Sequence, residues 1–234
     1  MIKIKLRTFC VLFIILLTAC NMFAQSNERT LLSTYIDGKA ISGKTLSSLV
    51  SSLAKSNKIP IGLEPENFRK SSGTENSEIR PSKTEETIQI KDGTLENVLN
   101  QITAYYSDYD WRTENGVVII SPKKNADIVI NDLLNTEIGE IIIEKRVGIM
   151  NAGEFIAGSS EIKNKLDSLG ITEIHFYDSV ESLKFDPDSP QLFFVIKNNS
   201  VKSILNQLVR ESNSKFWTIV RWGNKGEFLT IVVS

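Results

Sequence analysis

One thirteen-residue stretch occurs twice in this chain, and it constrains the fold more than any other feature. Residues 90–102 read IKDGTLENVLNQI and residues 196–208 read IKNNSVKSILNQL. Most of the differences exchange similar residues, and a tryptophan follows each copy at the same distance, at Trp111 and Trp217. Chance is a poor explanation for a match in both residue type and spacing. The sequence therefore predicts that the two halves of the chain form the same structural unit, in which the two tryptophans share a packing role.

Each copy of the repeat has the pattern of a strand, a capped helix and a hairpin. The expected strands are Thr87–Ile90 and Leu192–Ile196, and Thr94 and Ser200 are the expected N-caps. Apolar residues then recur at helical spacing, namely Leu95, Val98, Leu99 and Ile102 in the first copy and Val201, Ile204, Leu205 and Leu208 in the second. The hairpin turns are predicted at Asn115-Gly116 and Gly223–Gly226, the second being longer.

The segments before the two copies also correspond in pattern. Amphipathic helices at Leu46–Ala54 and Ile162–Leu169 lead into strands at Ile59–Leu63 and Ile174–Tyr177, and further strands are expected at Ile36 and Ile138–Ile143. The prediction is an α/β (α+β) fold of two tandem βαβ-βαββ modules, each a small mixed sheet packed with two helices. The modules span residues 30–123 and 130–234, joined by Pro122–Ala126.

The segment Ile88–Leu99 and the hairpin Trp111–Ile120 resemble the STN domain, the short N-terminal module of secretins and TonB-dependent receptors. The resemblance covers residues 35–121 and, in a divergent second copy, residues 138–233. It implies a small α/β module that contacts other proteins in the bacterial periplasm, in signalling or in the assembly of an outer-membrane complex. The chain is too short to hold also the β-barrel of a receptor or the ring-forming body of a secretin.

The first 24 residues have the pattern of a signal peptide. Lys3, Lys5 and Arg7 precede the apolar run Phe9–Leu17, which is short for a membrane span. The run ends in Leu17-Thr18-Ala19-Cys20, which resembles the lipobox of bacterial lipoproteins, so Cys20 is the expected lipidation site. The alternatives are secretory cleavage after Ala24 and an uncleaved N-terminal anchor.

Composition excludes several classes of function. The net charge is -1, without the basic stripe that nucleic acid requires. Both cysteines, Cys10 and Cys20, belong to the N-terminal segment, so the body can form no disulfide and has no thiol for catalysis. No cofactor-binding motif is present, and no cofactor is expected.

Three parts of the chain contain residues of the types that catalysis or ligand binding uses, and each has a plainer interpretation. His175, the only histidine, is expected to point outward from its strand beside Glu173, without partners for a zinc site. The pair Asp186 and Asp188 in Phe185–Pro190 lacks the remaining ligands of a calcium loop and indicates a turn. The glycines of Gly148–Gly158 fit neither the Walker phosphate-binding pattern nor the dinucleotide-binding pattern. No catalytic residue and no metal ligand is assigned.

The candidate binding residues lie in the last hairpin. Trp222 follows the tryptophan of the repeat, next to Gly223, and is expected to be a core residue or, alternatively, the exposed anchor of a binding surface. The final strand Phe228–Val233 carries no charge and is expected to be a sheet edge that recruits a partner strand. The predicted partner-binding residues are Trp222, Gly223, Phe228, Thr230 and Val232.

The sequence thus favours an exported, lipid-anchored envelope protein that binds other envelope proteins and is not an enzyme. Its expected location is the periplasmic side of the outer membrane or, without lipidation, the periplasm. One alternative is a lipoprotein that binds a glycan or small ligand through Trp222 and the polar segment Lys70–Glu86. Another is an envelope hydrolase with paired carboxylates, for which no motif is present.

Overall fold

The structure is a computed structural model that describes residues 28–66, 88, 90–147, 149–178, 192–212 and 215–234. The predicted signal peptide, the segment Lys70–Glu86 and the turn Phe185–Pro190 lie outside the described residues. The helices are α1 (Leu46–Asn57), α2 (Leu95–Tyr105), α3 (Ile128–Leu134), α4 (Ile149–Gly158), α5 (Ser160–Leu169) and α6 (Val201–Glu211). The strands are β1 (Tyr35–Ile36), β2 (Ile61–Leu63), β3 (Gly93–Thr94), β4 (Tyr109–Glu114), β5 (Val117–Pro122), β6 (Glu137–Val147), β7 (Glu173–Asp178), β8 (Leu192–Ser200), β9 (Phe216–Trp222) and β10 (Phe228–Val233).

The helices of the repeat begin at the predicted caps. The Thr94 hydroxyl accepts a hydrogen bond from the Asn97 amide at 3.3 Å, and the Ser200 hydroxyl accepts one from the Ser203 amide at 3.2 Å. Each cap satisfies an amide that has no partner inside the helix. Both N-cap predictions are confirmed.

The first hairpin turn is also confirmed. Asn115 and Gly116 both have positive φ, 53° and 78°, which a two-residue turn matched to the twist of its strands requires. In the second hairpin Gly223 has a φ of 96°, and a Cβ there would lie 2.6 Å from Glu227 Oε2 and 2.7 Å from Phe228 Cδ2. A side chain at residue 223 is therefore excluded by both strain and contact.

The α/β fold is confirmed, and its main sheet contains strands from both halves. The strand order is β4-β5-β2-β9-β10-β7. The first half contributes the first three strands and the second half the last three. They join where β2 pairs in parallel with β9, so the two halves share one six-stranded sheet.

Two short sheets complete the described strands. β6 pairs with β8 over most of its length, as the pattern at Leu192–Ile196 predicts. In the first half the counterpart pairing involves only β1 and β3. The predicted strand Thr87–Ile90 is wrong where it is described, because Ile88 and Ile90 lie outside any strand; the two-residue strand β1 pairs instead with Gly93 and Thr94.

The helices of the two halves pack on opposite faces of the main sheet. One hydrophobic cluster contains the apolar faces of α1 and α2 and the strand residues Ile61, Leu63, Val118, Ile120 and Phe216. The other contains apolar residues of α3 to α6 and the strand residues Val117, Ile119, Trp217, Ile219, Leu229, Ile231 and Val233. Each cluster includes strand residues of the other half, so the halves are packed together rather than merely connected.

Ion pairs reinforce this junction at the start of α6. Lys202 Nζ lies 2.8 Å from Glu64 Oε1 and 3.0 Å from Glu114 Oε2, and Arg112 Nε lies 2.7 Å from Glu114 Oε1. Burial raises the pKa of Glu114, but the hydrogen bonds from Lys202 and Arg112 outweigh it and hold that pKa below its ordinary value. The cluster joins a helix of the second half to strands of the first.

Among the helices of the described residues, none combines the length and the apolar character that crossing a membrane requires.

Candidate protein-binding surface

The last three strands of the sheet expose one face. Thr230 pairs with Val220 on one side and with His175 on the other, and Phe228 pairs with Trp222 and Glu173. Paired residues lie on the same side of a sheet and alternate along each strand. One residue on this side, Thr218, is buried where β9 adjoins β2. The others, called the open face below, are Glu173, His175, Tyr177, Val220, Trp222, Phe228, Thr230 and Val232.

None of the eight open-face residues is buried, whereas their neighbours on the other side are. Leu229, Ile231 and Val233 alternate with the open-face residues of β10 and are at most 1% exposed beneath the helices. On the open face Trp222 is 39% exposed and Tyr177 is 48% exposed. A sheet face with this many apolar groups in contact with solvent is typical of an interaction site.

The aromatic side chains of the open face hold each other in place. The rings of Trp222 and Phe228 stack with centroids 4.5 Å apart, and His175 stacks near Trp222 at 6.4 Å. Trp222 Nε1 donates a hydrogen bond to Thr230 Oγ1 at 3.0 Å. His175 Nε2 lies 3.3 Å from Glu173 Oε2. Trp222 is thus exposed but fixed, which lowers the entropy lost when a partner binds.

Four of the five predicted binding residues therefore come together: Trp222, Phe228, Thr230 and Val232 lie on the open face. Gly223 forms the adjacent turn. His175 and Glu173 point outward as predicted. Their strand lies beside β10, and sequence reasoning missed this, because β7 and β10 are far apart in the chain and no local pattern reports their pairing. Tyr177 was missed for the same reason.

The expectation that Phe228–Val233 forms a sheet edge is wrong. β10 pairs with β9 on one side and with β7 on the other, so its backbone has no free side for a partner strand. The prediction assumed that only sequence after residue 233 could cover this strand, whereas the earlier strand β7 pairs with it. Among the described residues, the strands with one neighbour in this sheet are β4 and β7.

A cavity of about 590 Å³ lies elsewhere, between β6 and helices α4 and α5. Its lining includes Phe155 and the carboxylates of Glu140, Glu154 and Glu161. Glu161 accepts a hydrogen bond from the Gly139 amide, and Glu140 pairs with Lys197. In the part of the chain that the structure describes, no group of three or more His, Cys, Asp or Glu residues is placed to hold a metal ion.

Comparison with known protein families, with curated proteins and with solved structures finds no match to this chain.

Proposed function

We propose that this protein is exported, is anchored by a lipid on Cys20, and binds another envelope protein through the open face, in outer-membrane signalling or complex assembly. The N-terminal pattern that ends at Cys20 supports the export and the anchor. The observation that carries the binding function is the fixed cluster of Trp222, Phe228 and His175, which remains in contact with solvent on the open face.

The shape of the open face favours a protein partner over a small ligand. It extends across three adjacent strands and is formed by a sheet, whereas small-molecule sites are concave and enclose most of the ligand. Aromatic residues surrounded by partly exposed apolar groups are the usual energetic centre of a protein interface. Glu173, on the edge strand β7, contributes a polar group at the rim, as such interfaces do.

The experiment compares two variants in which an exposed aromatic residue is truncated. Trp222→Ala removes the tryptophan of the open face, and Tyr105→Ala removes a side chain that is 45% exposed at the end of α2, in the first half. Both are used, with the wild type, to capture proteins from an envelope extract, and each is checked by thermal denaturation. We expect Trp222→Ala to lose a partner that the wild type and Tyr105→Ala retain, at a similar melting temperature. Retention of every partner by folded Trp222→Ala protein would contradict the proposal.

A further inference from the structure

The two halves correspond strand for strand. The hairpin strands β4 and β5 match β9 and β10, because Trp111 pairs with Ile120 as Trp217 pairs with Val233. The third strand follows from the register: Gly62 pairs with Ile119, and Tyr177 pairs with Val232 at the corresponding place. β7 is therefore the counterpart of β2, with Tyr177 at the position of Gly62.

The corresponding strands run in opposite directions, and their helices cover opposite faces. β5 and β2 are parallel, β2 and β9 are parallel, and each hairpin is antiparallel. β4 therefore runs antiparallel to β9, the strand to which it corresponds. A half-turn about an axis across the strands, combined with a shift along the sheet, relates the halves. Such a head-to-tail arrangement does not close on itself. In the described sheet it leaves β4 as the edge of the first half and β7 as the edge of the second.

The junction between the halves shows which residues pack against β2, the strand to which β7 corresponds. Phe216 pairs with Ile61 and is buried under the helices of the first half. The Trp217 ring covers Gly62 so closely that a Cβ there would lie 2.4 Å from Trp217 Cε2. On the same side Val117 and Ile119 belong to the cluster of α6 and are fully buried.

The corresponding positions at the other edge of the sheet are not paired with, or covered by, a further strand-helix-hairpin unit among the described residues. By the register above, Thr230 and Val232 correspond to Val117 and Ile119, yet both are partly exposed. β7 corresponds to β2 and has β10 as its only partner in the described part of the sheet. The open face is thus the counterpart of a face that the second half of the chain covers at the junction.

We propose that β7 and the open face bind a strand-helix-hairpin unit of a partner protein, which joins the sheet as the second half joins the first. The inference rests on the proposed function, since it names the kind of partner. The incoming strand runs parallel to β7, presents an apolar residue opposite Phe176, and presents a small residue opposite Tyr177. Its helix covers Thr230 and Val232.

The first half of another copy of this chain does not meet these requirements. At the position of Phe216 it has Asp110, a charge that would be buried by docking. At the position of Trp217 it has Trp111, which is held in the same way, by a hydrogen bond from Nε1 to Asn100. Trp111 would meet the Tyr177 side chain where Trp217 meets a glycine. Charge on an edge strand is a common means of preventing self-association.

The test rebuilds the internal junction at the two edges of the main sheet, β4 and β7. Asp110→Phe supplies the counterpart of Phe216, and Tyr177→Gly supplies the counterpart of Gly62. Both side chains are exposed, so the double variant should fold. We expect wild type and both single variants to sediment as monomers, and the double variant to reach about twice the monomer mass or more as concentration rises, since a head-to-tail interface propagates. Adding Thr230→Lys to the double variant should restore the monomer.

Each other outcome overturns the inference. A monomeric, folded double variant would show that this surface does not accept the unit. Association that persists with Thr230→Lys would place the contact elsewhere. Association of the wild type or of a single variant would show that Asp110 and Tyr177 do not each prevent self-association. If the double variant fails to fold, Asp110→Leu with Tyr177→Ala replaces it. Capture of a partner that depends on Trp222, combined with a monomeric double variant, would leave the proposed function standing and reject only this kind of partner.

Discussion

Asn206 Oδ1 accepts a hydrogen bond from Trp217 Nε1 at 2.9 Å inside the core, and the equivalent Asn100 and Trp111 make the same bond at 2.9 Å near the surface. The repeated Leu-Asn-Gln of the sequence thus has a physical reason: the asparagine on each helix orients the tryptophan of the strand that follows.

The two bonds should differ in energy, because their surroundings differ. Trp217 is fully buried and Asn206 is 4% exposed, so Asn206→Ala leaves a buried N–H without a partner. We expect a loss of roughly 1–3 kcal/mol in the free energy of unfolding. Asn100→Ala should cost less, since Trp111 Nε1 can bond to water. Denaturant titrations measure both, and equal losses would contradict this account.

Leu99 and Leu205 occupy equivalent positions in the two hydrophobic clusters, and both are 0% exposed. Truncation of either to alanine should cost about 2–5 kcal/mol. Because each cluster contains strand residues of the other half, we expect both variants to lower one common unfolding transition. Two separate transitions in calorimetry, each sensitive to only one variant, would show that the halves unfold independently.

The sequence predicted the elements of the fold better than their assembly. Helical spacing and capping residues placed α2 and α6, and Asn115-Gly116 placed the first turn, because these signals are local. The pairing of β2 with β9 and of β7 with β10 joins segments distant in the chain, and no local pattern encodes it. For the same reason Trp222, Phe228, Thr230 and Val232 were found from their own hairpin, whereas Tyr177 was not.

The ion cluster at the junction should make stability depend on pH in the acidic range. The folded pKa of Glu114 is below its ordinary value of 4.5, so its contribution is present above that value and is lost as the pH falls through the folded pKa. We expect Glu114→Gln to lower the melting temperature at neutral pH and to differ little from wild type in strong acid. Glu154→Gln, at an exposed position in the middle of α4, is the control. A difference that is independent of pH would contradict the ionic explanation.

Lipidation of Cys20 is tested by detergent partitioning. The wild type should enter the detergent phase, and Cys20→Ala should abolish processing or release the protein into the aqueous phase, because the thiol carries the lipid. Cys10→Ala removes the other cysteine of the chain and should change nothing. Recovery of wild-type protein as a soluble species beginning at Gln25 would instead support cleavage after Ala24 and reject the anchor.

Gly62 is the residue whose replacement best tests the junction between the halves. A Cβ at this position would lie 2.4 Å from Trp217 Cε2 and 2.5 Å from Cζ2. The buried indole is held by its hydrogen bond to Asn206, and β2 is paired on both sides. We expect Gly62→Ala to destabilise the fold by about 1–3 kcal/mol through overpacking. The matched control is Gly158→Ala at the end of α4, where an added Cβ meets no atom within 4 Å and the helix favours alanine. Equal stability of the two variants would mean that Trp217 does not lie against β2, and the correspondence between this junction and the open face would then lose its basis.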